Sequence, residues 1–177
     1  MSRHLVIKIK KPSDSPPAKP GGFLWKALAS FFGAGLSPVA PGTVASAIAF
    51  AVLWFVPNDV WPYWTAMLAV SLLGVPISSK AAKFWGKDPS KVVIDEVAGC
   101  MVAVLFLPKT PVLWAIAFLV FRAYDILKLP PAKTAEERLP EGWGIMTDDL
   151  VAGIYAFVLA HLVNLLLPQI ANWTPWT

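Results

Sequence analysis

Charge is scarce in this sequence. Asp, Glu, Lys and Arg make up 15% of its 177 residues, against roughly a quarter in a typical soluble domain. That shortage excludes an ordinary solvated surface. With 56% hydrophobic residues and a mean hydropathy of +0.60, it places the chain among polytopic membrane proteins of one domain. Cysteine is nearly missing too. Cys100 stands alone, so there is no intramolecular disulfide and no thiolate metal cluster. It lies in an apolar run with no arginine at the spacing of a phosphate-cradling cysteine loop, and reads as a small buried hydrophobe. Histidine is limited to His4 and His161, which do not make a zinc site. No cleavable signal peptide is evident, because residues 1–22 are polar, basic and proline-rich and the next apolar stretch is interrupted by Lys26. No internal repeat is found.

Tryptophan is plentiful, with nine residues that suit interfacial anchoring. The formal charge of +4 does not indicate a nucleic-acid partner, since the basic residues flank apolar segments and form no stripe with stacking aromatics. Anionic lipid headgroups account for them better.

The expected architecture is all-α: a membrane helical bundle of about five apolar helices plus an N-terminal interfacial helix. Residues 1–22 form a mobile basic cytoplasmic tail, and residues 23–177 a single membrane-embedded domain. Residues 23–32 are too short to span, and Leu24, Leu28, Phe31 and Phe32 share a helical face suited to the interface. The run Gly33–Pro41 is a loop. Apolar helices are predicted over about 41–56, 61–77, 92–107, 112–127 and 149–167, each somewhat short for a hydrocarbon core of about 30 Å. With the N-terminus inside, 14 of the 15 basic residues are cytoplasmic and only Lys109 is outside. No oligomeric state follows from the sequence.

Carboxylates then collect at one end of the bundle. Asp95 and Glu96 open the third predicted helix. Acids in a first turn favour the helix dipole, but adjacent acids point about 100° apart, and Gly99 clears space one turn beyond Asp95. Asp125 lies near a helix C-terminus, where the dipole opposes it, flanked at three residues by Arg122 and Lys128. That group is either a salt-bridge ladder or a metal carboxylate with cations poised for phosphate. Asp148 and Asp149 follow Gly142 and Gly144. One could cap the last helix, but capping needs only one. Ser37, Thr43 and Ser46 surround a helix start at Pro41 or Gly42, a position that favours anions. Hard oxygen ligands beside phosphate-binding groups suit Mg²⁺.

Four ordered segments sharpen this reading. They are Phe32–Thr43 (Phe-Gly-Ala-Gly-Leu-Ser-Pro-Val-Ala-Pro-Gly-Thr) with Ser46, then Val-Ile-Asp-Glu-Val-Ala-Gly at 93–99. Phe-Arg-Ala-Tyr-Asp-Ile-Leu-Lys follows at 121–128, and Gly-Ile-Met-Thr-Asp-Asp-Leu-Val-Ala-Gly at 144–153. From about Phe31 to Ala156 the chain resembles the phosphatidylglycerophosphatase A family of bacterial membrane phosphatases. The family's usual Lys-Pro after its Asp motif is replaced here by Lys128-Leu129-Pro130-Pro131. The resemblance implies Mg²⁺-dependent conversion of phosphatidylglycerophosphate to phosphatidylglycerol and phosphate at the cytoplasmic face of the bacterial inner membrane. Asp95, Glu96, Asp125, Asp148 and Asp149 would hold the metal and carry the chemistry. Arg122, Lys128, Thr43, Ser46 and Ser37 would bind phosphate. An activated water and an aspartyl-phosphate both remain open as routes. The alternatives are a Mg²⁺-dependent phosphatidyltransferase, whose Asp-Gly-x-x-Ala-Arg spacing is missing, and a cation transporter, which expects acids near mid-bilayer.

Overall fold

The computed structural model describes residues 21–85, 90–128, 139 and 141–171. The expected tail up to residue 20, the Leu129-Pro130-Pro131 departure and the final tryptophans lie outside them. Every regular element among the described residues is helical: α1 (Phe23–Ala29), a 3₁₀ turn (Ala34–Leu36), α2 (Pro41–Trp54), α3 (Trp61–Trp85), α4 (Ile94–Ala103), α5 (Pro111–Leu127), α6 (Glu141–Leu166) and the short α7 (Pro168–Ala171).

The all-α expectation holds, but the expectation of about five spanning helices does not. Among the described residues two helices are long and apolar enough to cross a membrane, Trp61–Trp85 and Gly142–Leu166. The physical reason is visible in α4. Its 10 residues rise only about 15 Å, half of a hydrocarbon core, and Val104 to Phe106 turn the chain. Backbone freed inside a bilayer must find partners, and Asn58 provides them. Its side-chain amide donates to the carbonyl oxygens of Val104 and of Leu107, the latter at 2.9 Å. The Phe106 amide returns a bond to the Asn58 carbonyl oxygen. The α2–α3 turn therefore closes the foreshortened end of α4.

Two boundaries move for packing reasons. The second predicted helix continues past Ile77 to Trp85, because Ser78 and Ala81 are buried and Lys80 Nζ lies 3.9 Å from the Trp25 ring centroid. The last predicted helix begins at Glu141 instead of 149. Gly142 and Gly144 fall within its first turn. Both are buried, and a Cβ at Gly142 would collide with Ser79 and the Val75 backbone. The glycines let α6 lie against α3. At the N-terminal end, helix α1 stops at Ala29. Phe31 and Phe32 adopt left-handed φ values of 47° and 54°, so Phe31 packs on the core while Phe32 is exposed. The single apolar face expected over residues 23–32 is thereby broken.

Helix α4 is the centre of the bundle. From Glu96 to Met101 every residue is buried, and α2, α3, α5 and α6 all pack on it. Its contact with α6 depends on two glycines. A Cβ on Gly153 would stand 2.5 Å from the Gly99 carbonyl oxygen, and one on Gly99 would stand 2.6 Å from the Asp149 carbonyl oxygen. Each glycine lies four residues after an acid, Asp95 or Asp149. The helices therefore touch one turn beyond the carboxylates.

Candidate active site

Four helices deliver polar side chains to one end of this bundle. Helix α4 contributes Asp95 and Glu96, α5 contributes Arg122, Asp125 and Lys128, α6 contributes Asp148 and Asp149, and α2 contributes Ser46. One carboxylate oxygen from each of Asp125, Asp148 and Asp149 lies within 4.8 Å of the other two. Asp148 and Asp149 are 4% and 3% exposed, too buried for solvated surface acids. Asp95 adjoins this group, close enough to interact electrostatically with its acids. Its Oδ1 is shielded from solvent and has no hydrogen-bond partner among the described residues.

The cations divide unevenly. Arg122 Nη1 lies 2.5 Å from Asp125 Oδ2 and 3.2 Å from Glu96 Oε2. Lys128 does not complete a ladder with Asp125, as its spacing suggested. It closes α5 in a left-handed conformation, φ 46°, and its ammonium lies 2.8 Å from Asp148 Oδ2. The left-handed residue turns the chain out of the helix and swings Lys128 towards α6.

Glu96 is placed apart from the three converging aspartates. It is held by Arg122 and by Ser46, whose Oγ lies 2.7 Å from Glu96 Oε2 and 2.8 Å from the Gly42 carbonyl oxygen. With one proton, the serine donates to one of these while accepting from Arg122 Nη1 at 3.4 Å. A Cβ at Gly42 would collide with Glu96 Oε1, so the glycine makes room for the carboxylate. This Gly42–Ser46–Glu96–Arg122 chain was not foreseen from the sequence. The only signal for it was the i, i+4 spacing of Gly42 and Ser46. Ser46 is thus held in the site, whereas Ser37 Oγ donates to the Val39 carbonyl oxygen in its own loop at 2.9 Å. Thr43 is half-buried in the first turn of α2. Asp148 and Asp149 lie inside α6, so neither is its N-cap.

Among the described residues, five carboxylates lie at this end of the bundle beside the two cations Arg122 and Lys128. Carboxyl groups this close and this buried cannot all carry charge without a further positive charge or shared protons. The donor set is all oxygen, the shielded Asp95 Oδ1 has no partner among the described residues, and there the acids outnumber the cations. These features fit a hard divalent ion such as Mg²⁺.

A family model described as phosphatidylglycerophosphatase A matches residues 27–164, which include every one of these side chains. The chain belongs to the phosphatidylglycerophosphatase A family. It is similar to the phosphatidylglycerophosphatase A of Escherichia coli K12, 31% identical over 143 residues that cover 79% of this chain and 83% of that protein. Its likeness to the Haemophilus influenzae phosphatidylglycerophosphatase A is 33% over 143 residues, covering 77% and 86%. A Bacteroides thetaiotaomicron protein with the provisional name phosphatidylinositol-3-phosphatase is 36% identical over 147 residues, covering 77% and 91%. No solved structure matches. As a member of the phosphatidylglycerophosphatase A family the chain is a phosphatase, which sets aside the phosphatidyltransferase and the cation transporter. Its two long apolar helices fit a membrane protein.

Proposed function

We propose that this chain is a Mg²⁺-dependent lipid phosphate monoesterase that converts phosphatidylglycerophosphate to phosphatidylglycerol and phosphate, as the names of its relatives suggest. It would be a multi-pass protein of the bacterial cytoplasmic membrane with its carboxylates at the cytoplasmic face. The observation that carries the reading is the convergence of Asp125, Asp148 and Asp149 oxygens within 4.8 Å, beside a guanidinium and an ammonium.

Asp125, Asp148 and Asp149 would hold the metal, with the partnerless Asp95 oxygen beside them. When bound, Mg²⁺ would neutralise phosphate charge and make a water more acidic. Lys128, with a side chain 41% exposed, reaches solvent and meets the substrate phosphate at the rim. Thr43, in the first turn of α2, offers a hydroxyl to the same anion. Arg122 acts from deeper in the site, its guanidinium oriented by Glu96 and Ser46. Asp95 accepts a proton from the attacking water. The water oxygen bonds to phosphorus, the bond from phosphorus to the glycerol oxygen breaks, and that oxygen leaves as an alcohol after taking up a proton.

The test is phosphate release by the purified protein from phosphatidylglycerophosphate, with phosphatidylinositol 3-phosphate in parallel because of the Bacteroides relative. Activity should require added Mg²⁺ and disappear with EDTA. Full turnover after exhaustive chelation would remove the metal from the mechanism, and preference for the inositol lipid would reassign the substrate.

A further inference from the structure

One helical turn beyond Ser46 on α2 and one turn before Arg122 on α5 lies an apolar groove that this chemistry leaves unused. On α2, Phe50 and Trp54 follow Ser46 at intervals of four residues, and on α5 Phe118 and Trp114 precede Arg122 at the same interval. Each set therefore lies on one helical face. The two stripes meet edge-on: Phe50 to Phe118 at 5.4 Å, Phe50 to Trp114 at 5.8 Å and Trp54 to Trp114 at 5.1 Å between ring centroids. Beside these rings runs a groove of about 430 Å³, lined entirely by apolar residues and bordered by the exposed Ala51 and Ala115. From Ala47 to Trp54 it extends about 10 Å along α2, at about 1.5 Å per residue.

We infer that this groove holds an acyl chain of the lipid phosphomonoester, which lies along the α2–α5 seam with its phosphate end at Arg122. The inference rests on the lipid phosphatase reading above. Polarity changes in one direction, since Arg122 and the polar site lie one helical turn beyond one end and only aromatic, proline and small apolar side chains line the groove. Such a profile fits an alkyl chain attached to an anion. The small side chains of Ala51 and Ala115 leave the groove open sideways, so a chain can enter from the bilayer without crossing the carboxylates. A chain that leaves lipid for this groove gains little from hydrophobicity, because its surroundings were already apolar. The groove contributes orientation, holding the phosphate in register with the buried acids.

Filling the groove tests the assignment. Ala51→Trp and Ala115→Trp alter exposed positions outside the core, and can be compared on dipalmitoyl and dibutyryl forms of the same phosphomonoester in detergent. For the dipalmitoyl substrate kcat/KM should fall about tenfold through loss of positioning, with the dibutyryl value unchanged. An equal loss on both, or no loss on either, overturns the inference. A dipalmitoyl-length phosphatidic acid carrying a mid-chain diazirine provides a readout independent of turnover. It should label α2 and α5 residues of the groove, and the unlabelled dipalmitoyl phosphomonoester should protect them. Equal labelling of the groove by a diazirine phosphatidylcholine would mean ordinary boundary lipid. Crosslinks between two chains through the groove would mean a second copy. Either result removes the assignment. If the wild type releases no phosphate from any lipid, the functional reading fails, while the labelling still decides the groove.

Discussion

Glu96 and Asp149 are both buried acids of the same cluster, yet their partners differ. Asp149 shares its space with Asp125 and Asp148, whereas Glu96 is bound by Ser46 and Arg122. From sequence both were assigned to the metal. Those contacts are the ones a positioning residue for the guanidinium would make, and the two roles separate in a Mg²⁺ titration of activity. Asp149→Asn should raise the Mg²⁺ concentration for half-maximal rate by about tenfold or more, as loss of a carboxylate ligand weakens the site. Glu96→Gln keeps a group able to bond Ser46 and should lower kcat by about 10–100-fold at saturating metal, with that concentration nearly unchanged. Equal shifts in metal dependence would return Glu96 to the ligand set. Asp95→Asn should abolish most turnover while the protein still folds, since its free oxygen is assigned to the water's proton. A near-normal rate would move that step elsewhere.

At the scale of elements, the site depends on how closely α4 and α6 approach. Asp95 and Asp149 lie one turn from the glycines at which the two helices meet. Glycine at such contacts lets backbones pack without an intervening Cβ. Gly153→Ala inserts a methyl 2.5 Å from the Gly99 carbonyl oxygen. The helices must then separate, which should cost about 1–3 kcal/mol as overpacking and displace Asp95 from Asp149. The expected result is a lower melting temperature in detergent, together with a loss of activity that added Mg²⁺ only partly restores. Unchanged melting and unchanged rate would show that the helix contact does not set the site. Ala152→Gly, at the neighbouring buried position, removes a methyl instead and should affect stability more than turnover.

For the whole molecule, the proposed orientation of the site rests on the distribution of basic residues. Fourteen of the 15 Lys and Arg residues fall on the side expected to be cytoplasmic. Single cysteines in a Cys100→Ser background test this orientation. Asn58 is unsuitable because it is buried in the α2–α3 turn, whereas the neighbouring Asp59 and the distant Ser90 are exposed. A cysteine at Ser90 should react with a membrane-impermeant thiol reagent only in inverted vesicles, and one at Asp59 only in intact cells with a permeable outer membrane. The reverse pattern would place the carboxylates on the outer face. The background itself should keep substantial activity, because Cys100 is a buried residue of the apolar core and serine differs from it by a single atom.

The chain's own order of residues determined its helical class, the start of α2 at Pro41, the family, and which acids, cations and hydroxyls to consider. These are local properties: apolar runs, proline at a first helical position, and motifs of contiguous residues. Tertiary structure decided the rest. Short apolar runs do not reveal whether a helix crosses a membrane or ends halfway, and the burial of Asn58 under Val104 and Leu107 is what allows α4 to stop. Glycines at 142 and 144 read as a loop because glycine disfavours helix in isolation, and contact with α3 reverses that preference. The division of the acids also required the fold. Asp125 and Asp149 are 24 positions apart, and Glu96 and Ser46 are 50 apart. Only the packing of four helices shows that Lys128 turns to Asp148, that Arg122 is shared with Glu96, and that three aspartates converge where a cation fits.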